Sequence, residues 1–105
     1  MDEAQFNAAA EAMLGRIERG LEGCESALDY EVKPGGVLEL EFADGSRIII
    51  NRHTAAREIW VAARSGGFHF KAEGDLWVGT RDGRELLAAL SAMASQQAGQ
   101  PVELR

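Results

Sequence analysis

Four carboxylates in the first quarter of the chain, Glu11, Glu18, Glu22 and Glu25, are spaced so that a helix turning about 100° per residue gathers them into one narrow stripe. Carboxylate oxygens suit hard cations such as Fe³⁺, Mg²⁺, Ca²⁺ and Mn²⁺, whereas Fe²⁺ often takes nitrogen ligands too. The stripe lacks the alternating ligands and central glycine of an EF-hand loop, so a metal held there would be shallow, weakly bound and partly hydrated. Two readings stand side by side: a solvated helix face that aids solubility, or a surface for cations and basic protein patches.

Trp60 is the second group of interest. In Glu58-Ile59-Trp60-Val61-Ala62-Ala63 the alternation that buries Ile59 and Val61 turns the tryptophan to the wet side of a strand. A tryptophan so placed is a partner-binding anchor, and Ile49, Asn51 and His69 are expected on the same face. His53 and His69 stand outside any spaced ligand motif and read as lone surface histidines. Cys24 has no Cys-x-x-Cys partner and sits among acids, which disfavour a thiolate. With no G-x-S-x-G, no glycine-rich phosphate loop and no dinucleotide fingerprint, the residues give little support for an enzyme.

These groups need elements to hold them. Phe6, Ala10, Met13, Leu14, Ile17 and Leu21 recur at helical spacing and predict an amphipathic helix over 3–22, with Gly20 and Gly23 fraying or stopping it. Lys33-Pro34-Gly35-Gly36 breaks the chain before the alternating strand Val37 to Phe42, and Asp44-Gly45 marks a hairpin into Ser46 to Asn51. A three-residue loop, Ala43 to Gly45, pairs Leu40 with Ile48, Leu38 with Ile50 and Glu41 with Arg47. That register joins apolar to apolar and acid to base, and it puts Gly45 in the left-handed conformation. Strands from Glu58 to Ala63, through Phe68-His69-Phe70 and through Leu76-Trp77-Val78 follow. Asp82 is expected to cap a closing helix whose stripe is Leu86, Leu87, Leu90, Met93 and Ala94. Val102 and Leu104 in the tail are placed to pack back between the helices.

Helix, five or six antiparallel strands, helix: the order predicts an α+β fold, a two-layer sandwich with both helices on one face of the sheet and the other face open to water. At 105 residues, 46% of them apolar, the chain is expected to form a single domain over 1–105. Residues 1–31 hold eight acids against two bases, and the rest is balanced, so the net charge of −6 is concentrated at the start. Nucleic acid is an unsuitable partner for such a surface, because phosphate contacts need a basic stripe. No apolar run approaches the ~18 residues of a membrane span, and Met1-Asp2-Glu3 is unlike a secretory signal. The single cysteine fits a reducing compartment, and the cytoplasm is the expected location.

The run Gly35-Gly36-Val37-Leu38-Glu39-Leu40-Glu41-Phe42, then Asp44-Gly45-Ser46-Arg47-Ile48-Ile49-Ile50-Asn51-Arg52, Glu58-Ile59-Trp60-Val61-Ala62 and Gly66-Gly67-Phe68-His69-Phe70, resembles the frataxin core, and the Gln96-Gln97-Ala98-Gly99 ending resembles the bacterial branch. The resemblance spans nearly the whole chain. It implies a role in iron–sulfur cluster assembly, with iron (Fe²⁺ or Fe³⁺) bound weakly at the surface by acids of the first helix and first strand. On this sequence those metal candidates are Glu11, Glu18, Glu22, Glu25, Asp29 and Glu31. It further implies docking on a cysteine desulfurase whose output is modulated, with the iron–sulfur scaffold protein as a second partner. The contact candidates are Glu18, Glu22, Asn51, Trp60 and His69. The family implication is a monomer that forms oligomers with iron; the alternative function is a ferroxidase that oxidises Fe²⁺ and stores the product. Arg19, Gly20 and Gly23 depart from the denser acid of the family's first helix, and His53-Thr54-Ala55 replaces its usual glutamine and proline.

Overall fold

The computed structural model describes residues 1–105. Helix α1 (Glu3–Leu21) starts at a reciprocal cap: Asp2 accepts the Gln5 backbone N–H at 2.8 Å, and the Gln5 side chain accepts that of Asp2 at 3.0 Å. Its buried stripe is Phe6, Ala10, Met13, Leu14, Ile17 and Leu21, as the spacing predicts. Truncating one of these, Ile17 to alanine for example, would cost about 2–5 kcal/mol.

Six strands follow: β1 (Asp29–Lys33), β2 (Val37–Glu41), β3 (Arg47–His53), β4 (Glu58–Ala63), β5 (Gly66–Glu73) and β6 (Leu76–Gly79), before α2 (Leu86–Ala98). They form one antiparallel sheet in sequence order. The β2–β3 register is the expected one, Leu38 opposite Ile50, Leu40 opposite Ile48 and Glu41 opposite Arg47. Gly45 takes φ 84°, and Asp44 closes the loop by accepting the Ser46 N–H and hydroxyl. Both helices cover one sheet face, giving the two-layer α+β sandwich with a core of 24 buried apolar residues.

One expectation needs correction. Asp82 does not cap α2; Glu85 does, accepting the backbone N–H of Leu87 and Ala88. The chain after β6 is still tied to the sheet there, because Gly79 donates to the Arg84 carbonyl at 2.7 Å and Val78 bridges Glu85, so the helix starts one turn later. Asp82 instead accepts the Arg84 N–H. Helix α1 stops between Gly20 and Gly23, as expected. Gly20 is its penultimate residue, where a Cβ would stand 3.2 Å from Leu104 Cδ2, so it also admits the tail. The helix ends at Leu21 and continues as a short 3₁₀ turn, Glu22–Cys24.

The tail packs between the helices as expected, with Val102 and Leu104 buried. Ser95 and Ser91, four apart on α2, each bond both the N–H and the carbonyl of Val102 and Leu104 respectively. Gln97, 6% exposed, ties α2 to the sheet: its carbonyl accepts the Arg64 N–H, and its amide donates to the Ser46 hydroxyl and the Arg47 carbonyl. No helix is long and apolar enough to cross a membrane.

Candidate functional site

The six acids fall along the edge where α1 meets β1, on both sides of that strand. Glu11 and Glu18 line a groove with Leu14, Val32, Gly36 and Arg52. Glu22 and Glu25, in and after the 3₁₀ turn, are exposed. Glu22, Glu18 and Glu25 all act on the phenol of Tyr30, which points to the helix side; desolvation first, then these three carboxylates, push its pKa above the usual 10.0. Asp29 and Glu31 flank Tyr30 but, by strand alternation, face the open side of the sheet.

On that side acids meet acids across the strands, Asp29 opposite Glu41 and Glu31 opposite Glu39. Like charges so paired cost a few tenths of a kcal/mol each. Lys33 and Arg47 bind Glu39, and Arg47 also reaches Glu41 at 3.6 Å. The Lys33 hydrogen bond holds the Glu39 carboxyl below its usual range against the opposing effect of burial. Of the six candidate acids only Glu11 has an ion-pair partner, Arg52, at 3.2 Å. No three His, Cys, Asp or Glu side chains gather closely enough to hold one metal. A cation on this edge would therefore meet one or two carboxylates and complete its shell with water.

The sheet-face candidates are brought together. Asn51, Trp60 and His69 are direct cross-strand neighbours on β3, β4 and β5, in one row on the open face. His53 joins them, which its isolation in sequence did not suggest. Its imidazole stacks on the Trp60 indole at 3.9 Å and 5°, while His69 stacks at 4.4 Å and 8°. Because β4 runs between β3 and β5, the two imidazoles cover opposite faces of the indole. The β3–β4 turn sets His53 in place: Arg57 takes a left-handed φ of 56°, and His53 Nδ1 accepts the Ala56 N–H at 3.3 Å. Glu58, 9% exposed, completes the group, accepting the Trp60 indole N–H at 2.8 Å with the same oxygen that lies 3.4 Å from His69 Nδ1. The sequence signal for Glu58 and His53 was alternation alone: Glu58, two residues before Trp60, and His53, two after Asn51, share that face.

A frataxin-like domain matches residues 1–100. A protein of Dechloromonas aromatica (strain RCB) named iron-sulfur cluster assembly protein CyaY is 59% identical over 105 residues, covering 100% of both chains. Its namesake in Janthinobacterium sp. (strain Marseille) is 52% identical and covers 100% of this chain and 97% of its own. Among solved structures, frataxin from Psychromonas ingrahamii, of the CyaY family, superposes with a TM-score of 0.89 at 29% identity over 98% of this chain and 97% of that one. A trimeric frataxin from the yeast Saccharomyces cerevisiae, complexed with ferrous iron, superposes with a TM-score of 0.76 at 26% identity over 88% and 87%.

Proposed function

The chain belongs to the frataxin family, in its CyaY branch, and from that premise we propose that it serves iron–sulfur cluster assembly as an iron-binding regulator of a cysteine desulfurase. It acts as a single domain over residues 1–105, carrying iron weakly on the α1–β1 edge and passing it to the assembly site. The observation that carries the reading is the state of the acids. Glu18, Glu22, Glu25, Asp29 and Glu31 carry no ion pair within the chain, while the neighbouring Glu39 and Glu41 are neutralised by Lys33 and Arg47. Unpaired carboxylates strung along one edge repel one another, and a cation or a basic protein surface relieves that repulsion.

The mechanism is a competition of charge. Fe²⁺ settling among the edge carboxylates lowers the negative field there and so changes how the edge docks on a basic patch of the desulfurase. The open-face row of Asn51, Trp60 and His69 supplies the second contact, with the iron–sulfur scaffold protein as a further partner. The ferroxidase alternative needs carboxylates close enough to bridge two irons, and these acids are spread along an edge instead.

Calorimetric titration into the cognate cysteine desulfurase, with and without anaerobic Fe²⁺ and at two salt concentrations, tests the proposal. Affinity should fall with salt and shift with iron. Binding that ignores both would sink the edge as an iron-sensing surface. Rapid catalytic oxygen consumption on adding Fe²⁺ would favour the ferroxidase.

A further inference from the structure

Trp60 differs from an open aromatic platform in three respects. One indole face is covered by His53 at 3.9 Å, the other by His69 at 4.4 Å, and its N–H is spent on the Glu58 carboxylate at 2.8 Å. A partner can therefore neither lay an aromatic ring or a guanidinium on the indole nor accept its N–H without breaking this group apart. Glu58 is the member that holds it together. It is the most buried of the four, and one of its oxygens meets both Trp60 and His69. Its backbone stands directly opposite His53 on one side and Lys71 on the other.

We infer that Glu58 is a positioning residue that locks Trp60 edge-on between two imidazoles, so that a partner reads the outer rim of three stacked rings and not an indole face. The rim of such a stack presents C–H and imidazole N–H edges, the positive part of each ring's charge distribution. It fits carbonyl and carboxylate oxygens on the partner. The docking half of this inference rests on the reading of the open face as a contact surface; the lock itself does not.

The test separates the two. In proton–carbon NMR spectra of the full chain, the ring protons of His53 and His69 should lie upfield of free imidazole, shifted by the ring current of the indole between them. Glu58→Ala should move both toward free values, whereas Glu58→Gln, which still accepts the indole N–H, should hold them near the native positions. Histidine signals at free-imidazole positions in the native chain would overturn the stack. Native-like shifts in Glu58→Ala would overturn Glu58 as the lock. The same variants titrated into the cysteine desulfurase read the docking half. Glu58→Ala should bind up to roughly tenfold more weakly, the size expected when a side chain freed by the substitution must be ordered again on binding, with Glu58→Gln recovering most of it. Shifts lost while binding stays unchanged would overturn the rim as the recognised feature.

Discussion

Arg52 Nη1 lies 3.2 Å from Glu11 Oε1, so one acid of the α1 edge is already held by a cation of the chain itself. Arg52 reaches it from the helix-facing side of β3, with its guanidinium close to Gly36 and the Arg52 side chain only 24% exposed. The pair is half in solvent and contributes at most about 1 kcal/mol. Arg52→Met keeps the aliphatic stem and removes the charge. Its stability in urea should fall by less than ~1 kcal/mol; under the proposed docking, affinity for the desulfurase should rise and its salt dependence steepen, because Glu11 then joins the unpaired acids. Unchanged salt dependence in calorimetry would show that Glu11 lies outside the docking edge.

Tyr30 reports on the same edge from within. It is the only tyrosine, so its ionisation can be followed alone by ultraviolet absorbance. Desolvation, then Glu22, Glu18 and Glu25, raise its folded pKa above 10.0. The folded state thus holds the phenol proton more tightly than the unfolded state. Stability from this group is full below about pH 10 and is lost as pH rises through the folded value. Glu22→Gln should move the phenol titration to lower pH. A titration identical in native and Glu22→Gln proteins would place Glu22 away from Tyr30.

How far the sequence could be read follows from what each feature depends on. Leu40 opposite Ile48 was legible because a hairpin pairs residues a few positions apart and only one register matches apolar to apolar. The open-face row of Asn51, Trp60 and His69 was legible because strand alternation needs no distant information. Strand β1 was not assigned from pattern: it is an edge strand with only Tyr30 and Val32 on its helix side, and Val32 is itself half exposed. Asp82 looked like a cap because the signal for a cap is local, whereas the bridge from Val78 to Glu85 that delays the helix is not. His53 looked isolated because its place on Trp60 depends on a left-handed Arg57 in the turn, a conformation that arginine does not advertise.

Gln97 should prove costlier to replace than its polar character suggests. Three hydrogen bonds converge on its buried amide, from Arg64 and to Ser46 and Arg47, and they join α2 to the ends of β3 and β4. Gln97→Ala should destabilise by about 1–3 kcal/mol, the cost of leaving such groups unsatisfied. Gln97→Glu should cost at least as much, because it sets a carboxylate against the Arg47 carbonyl. Urea denaturation measures both. If the glutamate variant equals the native chain, the amide is not the bracket it looks like.

Charge reversal on the edge should separate docking from folding. Glu18 and Glu22 lie on the helix side of β1 and have no cation partner in the chain, so their repulsion is a cost the fold bears. Changing both to lysine removes it and adds attraction to Glu25 and Glu11. The folded chain should therefore keep its stability to within about 0.5 kcal/mol per site, or gain slightly. Docking on a basic patch should weaken sharply, and most at low salt, where surface charges are least screened. Asp29→Lys with Glu31→Lys makes the matching change on the open side of the same strand, beside Glu39 and Glu41. If the desulfurase reads the edge as one field, both double variants lose affinity alike. If it reads only the helix side, the Asp29 and Glu31 variant keeps native binding. Full affinity in both at low salt would mean that the unpaired acids serve something other than docking.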